Sequence, residues 1–369
     1  MPRVVIIGGG PAGATAALVL ARLGLESSVL EARRGPAAKF GECLPPNINP
    51  LLERLGLARR LRSGGHLVSY GNRFVWGSPL PAERDFIFET KGTGWHLDRR
   101  RFEEALASAA LEEGVDWRYG HRLLGCERRD EGWRLEVNTP CGVETLEPDF
   151  VIEASGRAAR FARKVGAHTV SYDRLVGAAV YLESREGIGG GDSFTLVEAV
   201  PTGWWYSARL PGRKLAVVYM TDDDLINLAA SRRLEDWLSL LAETVQTKRR
   251  VALGSYVPLS APRLLRANSS RLTAITGDHW LAVGDAAAAY DPLSSYGIGS
   301  GMGAGFYAAS AVADFFQGSS DALSTYARVI DQSYADYLLM HHNQYLSERR
   351  WPDEPFWRRR HAPGLRCEN

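Results

Sequence analysis

The sequence predicts an α/β protein: a parallel-sheet, nucleotide-binding domain that carries an inserted antiparallel sheet and ends in helices. Three observations predict it. Arg3 to Ile7 is an apolar run that breaks into a glycine-rich turn and resumes as a helical run, Ala14 to Leu23. A second apolar run, Trp280-Leu281-Ala282-Val283, breaks into Gly284-Asp285 near the other end of the chain. Between them, residues 170–265 read as strands separated by Gly and Pro turns. The chain has 369 residues, more than one core usually serves, so two domains are expected.

The first element is a short buried strand followed by Gly8-Gly9-Gly10-Pro11-Ala12-Gly13 and then a helix; Val29-Leu30-Glu31 reads as the next strand. This is a Rossmann-like unit. Gly8 permits the tight turn, Gly10 lets the backbone approach a pyrophosphate, and Gly13 lets the helix pack close to the sheet. Pro11 and Ala12 open the helix, whose N-terminus presents unpaired N–H groups and partial positive charge to phosphates. Glu31 stands 18 positions after Gly13, placed to accept from adenosine ribose hydroxyls, with Ala32 and Arg33 beside it.

The second element separates FAD from NAD. Gly284-Asp285 ends a buried strand, and Asp291-Pro292-Leu293-Ser294-Ser295-Tyr296-Gly297-Ile298-Gly299 leads into a small-residue helix, Gly299 to Val312. A carboxylate at a strand end is placed to hold a ribityl hydroxyl. The N–H groups of Gly297 and Ile298, with Pro292 in the turn before them, are placed to support negative charge on a reduced isoalloxazine ring.

The middle of the chain supplies strands at Ser193 to Ala199 and Leu215 to Met220, then a helix from about Leu234 to Val245. Phe74-Val75-Trp76 is expected to join that sheet. Trp76, Trp95, Trp204, Trp205, Tyr206 and Tyr219 concentrate aromatic surface here. Trp76, Trp204, Tyr206 and Tyr219 are the candidates for lining a pocket for a planar substrate; the alternative is that they fill the sheet core.

Composition removes other classes. Lys and Arg total 44 against 43 Asp and Glu, a net of +1, so no nucleic-acid partner is implied. No run approaches the roughly 18 apolar residues of a membrane span, and no signal peptide is seen, so no membrane partner is expected. Cys43, Cys126, Cys141 and Cys367 form no CxxC pair, which argues against a disulfide framework or zinc and for a reducing cytoplasm. His341-His342 lacks a third ligand at metal-site spacing; both read as packing or surface residues, and no metal is expected.

Taken in order, the Gly8–Gly13 turn, Asp98-Arg99-Arg100-Arg101-Phe102-Glu103, Phe150-Val151-Ile152-Glu153-Ala154-Ser155-Gly156-Arg157, and Gly284-Asp285 with Asp291-Pro292 resemble the landmarks of the FAD-dependent monooxygenase and flavin halogenase superfamily, whose fold is that of para-hydroxybenzoate hydroxylase. The resemblance implies a three-layer (β-β-α) FAD domain built from 1–65, 96–168 and 270–320, a substrate domain from 66–95 and 169–269, and a C-terminal helical segment, 321–369. It places Arg99 along the FAD phosphates or beside the flavin and the Leu123 backbone near the adenine. Gly41-Glu42-Cys43-Leu44-Pro45-Pro46 would run along the flavin, the alternative for Glu42 being a solvated loop carboxylate. Cys43 invites a covalent-flavin or redox role; its alternative is an inert thiol.

Within the superfamily, Gly203-Trp204-Trp205-Tyr206-Ser207-Ala208-Arg209-Leu210-Pro211 resembles the Trp-x-Trp-x-Ile-Pro stretch of halogenases with Tyr206 at the second Trp. The halogenase lysine falls near Ser69, and no lysine lies between Lys39 and Lys91. That segment, with the tail Tyr345 to Trp351-Pro352 and Pro355 to Arg359, is more similar to halogenase-like flavoproteins that oxygenate peptide-bound tryptophan during quinone cofactor maturation. The resemblance implies a monooxygenase that hydroxylates an aromatic ring, on a small molecule or in a peptide or protein, through a flavin C4a-hydroperoxide. NAD(P)H or a flavin reductase partner would supply electrons and O2 would be co-substrate. Glu42 and His96 are the candidate acid–base residues by chemistry type. The alternatives are a halogenase, a geranylgeranyl-reductase-like enzyme, and a flavin-bound maturation factor without catalysis.

Overall fold

The computed structural model describes residues 3–185, 193–226 and 232–362. The strand Arg3–Ile7 lies inside a six-stranded sheet, between Phe150–Glu153 and Glu26–Glu31, paired in parallel with both. Trp280–Ala282 and Asp116–Tyr119 extend it in parallel on either side, and Thr276–Gly277 closes one edge antiparallel. Val4 to Ile7 are buried because helices cover one face and a second sheet the other, which is why the strand is apolar without alternation. That second layer is the meander Arg122–Arg129, Gly132–Thr139 and Gly142–Leu146.

The helix Pro11–Arg22 packs on the helix Gly297–Phe316 across small residues. A Cβ on Gly305 would collide with the Ala12 carbonyl, so the approach of the two backbones requires glycine there. The helix predicted from Gly299 to Val312 is longer at both ends, running from Gly297 to Phe316.

The second large sheet has eight strands. Its spine is Leu175–Ser184, Lys214–Asp222, Gly203–Leu210 and Phe194–Val200, with Gly71–Val75 added in parallel to the last. Phe74 and Val75 join it as expected, and Trp76 follows at the strand's end. Trp95 lies instead in a small sheet of Cys43–Leu44, Gly94–His96 and Leu67–Ser69.

The helix expected from Leu234 to Val245 is two helices, Leu234–Ala242 and Gln246–Leu253. The break has a cause in the sheet. The buried Glu198 carboxylate accepts from the N–H groups of Val245 (2.8 Å), Gln246 (3.1 Å) and Thr247 (2.7 Å), which starts the second helix there. Two C-terminal helices, Ala322–Leu346 and Pro355–His361, contribute to the cores packed on both large sheets. No described helix is long and apolar enough to cross a membrane.

Candidate flavin site

Gly8 holds φ at 115°, and a Cβ there would strike the Ala154 carbonyl, so the tight turn against the neighbouring strand excludes other residues. Gly13 sits against the Gly8 carbonyl. Gly10 is different: its φ is ordinary and a Cβ there would meet nothing within 4 Å. Its outer face opens on space at the N-terminus of Pro11–Arg22, where no side chain caps the helix. The Ala12 and Gly13 N–H groups, in the helix's first turn, have no intrahelical acceptor. Glu31 closes the turn from the next strand, accepting from Gly9 N–H and Arg33 N–H, each at 2.9 Å. Ala32 and Arg33 follow it on the exposed rim.

Arg99 opens the helix Arg99–Glu112 and donates to the Gly41 carbonyl at 2.7 Å and to Glu103 at 2.7 Å. Its buried Nε has no hydrogen-bond partner. Lys39 reaches the other Glu103 oxygen at 2.6 Å. Arg157 lies 3.6 Å from Asp285. The Asp285 carboxyl, 39 % exposed, faces the charges of Arg157 and Arg99. Leu123 is buried in the meander opposite Val137, at a bulge. An uncapped helix start, an open glycine face, an orphaned guanidinium nitrogen and a strand-end carboxylate fit an adenine dinucleotide carrying a polyol, and so fit FAD.

A second cluster meets this groove at the loop after Lys39. Glu42 is 2 % exposed. The solvated-loop alternative therefore fails: the loop folds inward, because Phe40 stacks on Tyr181 (centroids 4.0 Å) and Cys43–Leu44 pairs with the strand Gly94–His96. Glu42 accepts from Gly41 N–H at 2.9 Å and lies 2.7 Å from the Tyr181 hydroxyl. Burial raises its carboxyl, against the Tyr181 and Gly41 hydrogen bonds. The Thr195 hydroxyl bridges His96 Nε2 (2.9 Å) and Cys43 Sγ (3.4 Å). Burial pushes the Cys43 thiol up to about 11, so it stays neutral rather than nucleophilic. Among the described residues Cys43, Cys126 and Cys141 are free thiols; Cys367 lies outside them.

The four pocket candidates separate. Tyr206 projects toward this cluster, with Cys43, Glu42 and Tyr181 acting on its phenol, which burial raises well above the ordinary value. Trp204 is on the same face but buried beneath the C-terminal segment, donating to the Tyr345 hydroxyl at 3.0 Å. Trp76 is buried there too, donating to the Gln344 carbonyl at 2.9 Å. Tyr219 requires a correction. It pairs with Trp205, not Trp204, in the ladder, so strand alternation puts it on the opposite face, stacked on Trp205. It cannot line one pocket with Tyr206.

Sequence reasoning missed Asp291's partners. Asp291 Oδ2 is 2.9 Å from His341 Nε2 and accepts from the Tyr345 hydroxyl at 2.8 Å. His341 is thus neither a surface residue nor mere packing, and the spacing 337, 341, 345 on one helix face was the available signal. Pro292 starts the turn that leads to Gly297 and Ile298, the first residues of their helix. A cleft of about 410 Å³ opens beside it, lined by Pro45, Ile48, Leu51, Ser295, Tyr296 and Tyr337 among others. A cleft of about 460 Å³ between Leu241, Val251 and Tyr256 lies against the far face of the sheet, away from both clusters.

Residues 1–186 match the family described as FAD binding domain. The chain is 30 % identical to the putative FAD-dependent oxidoreductase LodB of Marinomonas mediterranea, covering 97 % of this chain and 96 % of that one. It is 25 % identical to a tryptophan 2-halogenase of Chondromyces crocatus over 87 % of its length, spanning 63 % of the halogenase. Among solved structures, the chondrochloren halogenase CndH superposes with a TM-score of 0.90 at 22 % identity, covering 98 % of this chain and 86 % of that one. The peptidyl tryptophan dihydroxylase QhpG superposes at 0.78 and 24 %, covering 99 % and 80 %. These two likenesses speak to the fold.

Proposed function

We propose, from the premise that this chain belongs to the FAD binding domain family of flavin-dependent oxidoreductases, that it is a monooxygenase hydroxylating an aromatic ring, with a tryptophan side chain of a peptide or protein as the leading substrate class. The observation that carries the choice of oxygenation is at Ser69. The resemblance puts the halogenase lysine there, and this chain has a buried serine in the strand Leu67–Ser69. Lys39, the nearest lysine before it in sequence, is engaged with Glu103. A structural neighbour whose name is peptidyl tryptophan dihydroxylase supports the substrate class.

When bound, FAD supplies the redox chemistry, taking electrons from NAD(P)H or a reductase partner and delivering one oxygen atom of O2 to the substrate. The chain's residues hold and shape the site. In this reading the Ala12 and Gly13 N–H groups with Arg99 take the pyrophosphate, Glu31 the ribose, and Asp285 a ribityl hydroxyl. Gly297 and Ile298, which open their helix, would offer N–H groups to the flavin ring. Tyr206 and the Glu42–Tyr181 pair face the substrate side, where the buried Glu42 is the first acid–base candidate. His96, tied to Thr195, is the second acid–base candidate.

Anaerobically reduced holoprotein is mixed with oxygen in the presence of indoles, phenols and tryptophan peptides. Gain of one oxygen atom by a substrate is the expected result; its absence across the panel overturns the reading. Halogenation is the second reading, favoured by the similarity to halogenases, and bromide in the same assay decides it through a brominated product.

A further inference from the structure

The turn that precedes Gly297 is built on a residue in an unfavourable backbone state. Ser295 holds φ at 55°, the left-handed region that a serine adopts only when its surroundings over-determine it. The turn makes some of its own restraints: Asp291 Oδ1 accepts from Leu293 N–H at 2.8 Å, and the Ser294 hydroxyl donates back to the Asp291 carbonyl at 2.7 Å. All of them hang from Asp291, which is 1 % exposed. What fixes Asp291 comes from another element. Along the helix Ala322–Leu346, Tyr337, His341 and Tyr345 follow at four-residue intervals and form one stripe. Asp291 N–H donates to the Tyr337 hydroxyl at 2.8 Å, and Oδ2 takes His341 Nε2 and the Tyr345 hydroxyl. The Asp291 side chain is fully buried and that of His341 is 9 % exposed, so the Asp291 carboxylate has no water as a substitute partner.

We infer that Tyr337, His341 and Tyr345 are positioning residues of the flavin-side turn: they hold Asp291 so that Ser295 keeps its left-handed backbone and the Gly297 and Ile298 N–H groups keep their aim. Two further observations agree. Against the rise that burial alone imposes, the His341 contact, the Leu293 N–H and Tyr345 hold Asp291 below the ordinary carboxylate range, so it is an anion able to accept all of these bonds. Tyr345 also accepts from Trp204 of the substrate-side sheet, which ties the turn to that sheet through one hydroxyl. The C-terminal helix then supports the flavin site through Asp291. This inference depends on FAD binding and not on whether the reaction is oxygenation or halogenation.

The test uses FAD-loaded full-length protein with His341→Leu, His341→Gln and Tyr345→Phe. FAD affinity is read by flavin fluorescence titration, the flavin midpoint potential by dye equilibration, and thermal unfolding alongside. His341→Leu and Tyr345→Phe should each weaken FAD binding about tenfold and move the potential negative, since misaimed N–H groups support the anionic reduced ring less. His341→Gln keeps an N–H donor near the Nε2 position and should stay within about twofold. Wild-type FAD affinity and potential in His341→Leu and Tyr345→Phe, with only a lowered melting temperature, would overturn the inference and leave the helix a packing element. Where His341→Leu does not fold, Tyr345→Phe, which removes one hydroxyl, decides alone.

Discussion

The Tyr181 hydroxyl lies 2.7 Å from Glu42 Oε1, and burial favours the protonated form of that carboxyl. The Tyr181 hydroxyl also lies 2.9 Å from the Lys39 carbonyl, and it has one proton to give. The carbonyl can only accept. Both contacts are satisfied together when Glu42 is neutral and donates to Tyr181, which donates to Lys39. Burial, which pushes the Glu42 carboxyl up, favours the same state.

That state predicts a pH dependence with a definite sign. A carboxyl whose folded value is raised stabilises the fold fully below its unfolded value, near 4.3, and loses that contribution as pH rises toward the folded value. Over that window wild type should lose up to about 1.4 kcal/mol per pH unit relative to Glu42→Gln, which has no proton to lose. Urea unfolding of both proteins across the acid to neutral range measures the difference. Parallel curves would mean that the Glu42 carboxyl titrates alike in the folded and unfolded chain.

Asp291 predicts the opposite slope. Its folded value is depressed, so its contribution is present above the ordinary aspartate value and is lost as pH falls through the depressed one. Asp291→Asn should cost about 2–4 kcal/mol at neutral pH, because it removes the anion that His341 and Tyr345 serve. Chemical denaturation at neutral pH and at the lowest pH where wild type stays folded should show the gap narrowing on the acid side.

The glycine turn separates folding from binding. Gly13→Ala places a Cβ against the Gly8 carbonyl and should destabilise the protein by roughly 2 kcal/mol or more. Gly10→Ala meets no atom in the fold and should leave the apoprotein within about 1 kcal/mol of wild type. It nevertheless puts a methyl group on the face where the proposed site takes the pyrophosphate, so FAD retention on purification should fall sharply. Equal FAD content in Gly10→Ala and wild type would remove the phosphate from that face.

The aromatic residues should divide by face. Tyr206→Phe should raise KM for the aromatic substrate with little change in melting temperature, since its phenol points to the Glu42 and Cys43 cluster. Tyr219→Phe, on the other face and bonded to Thr202, should leave KM unchanged and cost about 1 kcal/mol of stability. Trp204→Ala should cost about 3–5 kcal/mol as a core truncation. Steady-state kinetics beside thermal melts on the three variants tests the division.

The sequence by itself determined the nucleotide half of this protein. The Gly8–Gly13 turn, Glu31 and Gly284-Asp285 are local devices, in which a few consecutive residues set the backbone, so they can be read without the fold. The faces of the aromatic strands were half legible: alternation separates Trp204 from Trp205, but only the ladder register, Trp205 against Tyr219, shows that Tyr219 sides with the wrong face. Glu42 and His341 were only partly legible: Glu42 could be placed along the flavin or in solvent, and the 337, 341, 345 spacing marks a helix face without naming its partner. A glutamate in a glycine-flanked loop and a histidine pair on a polar helix carry the composition of solvated residues. What buries them is Tyr181, 139 positions away from Glu42, and Asp291, 50 positions away from His341. Proton location and turn geometry follow from such long-range contacts, and desolvation of a charge is a property of everything packed around it, which only the tertiary structure decides.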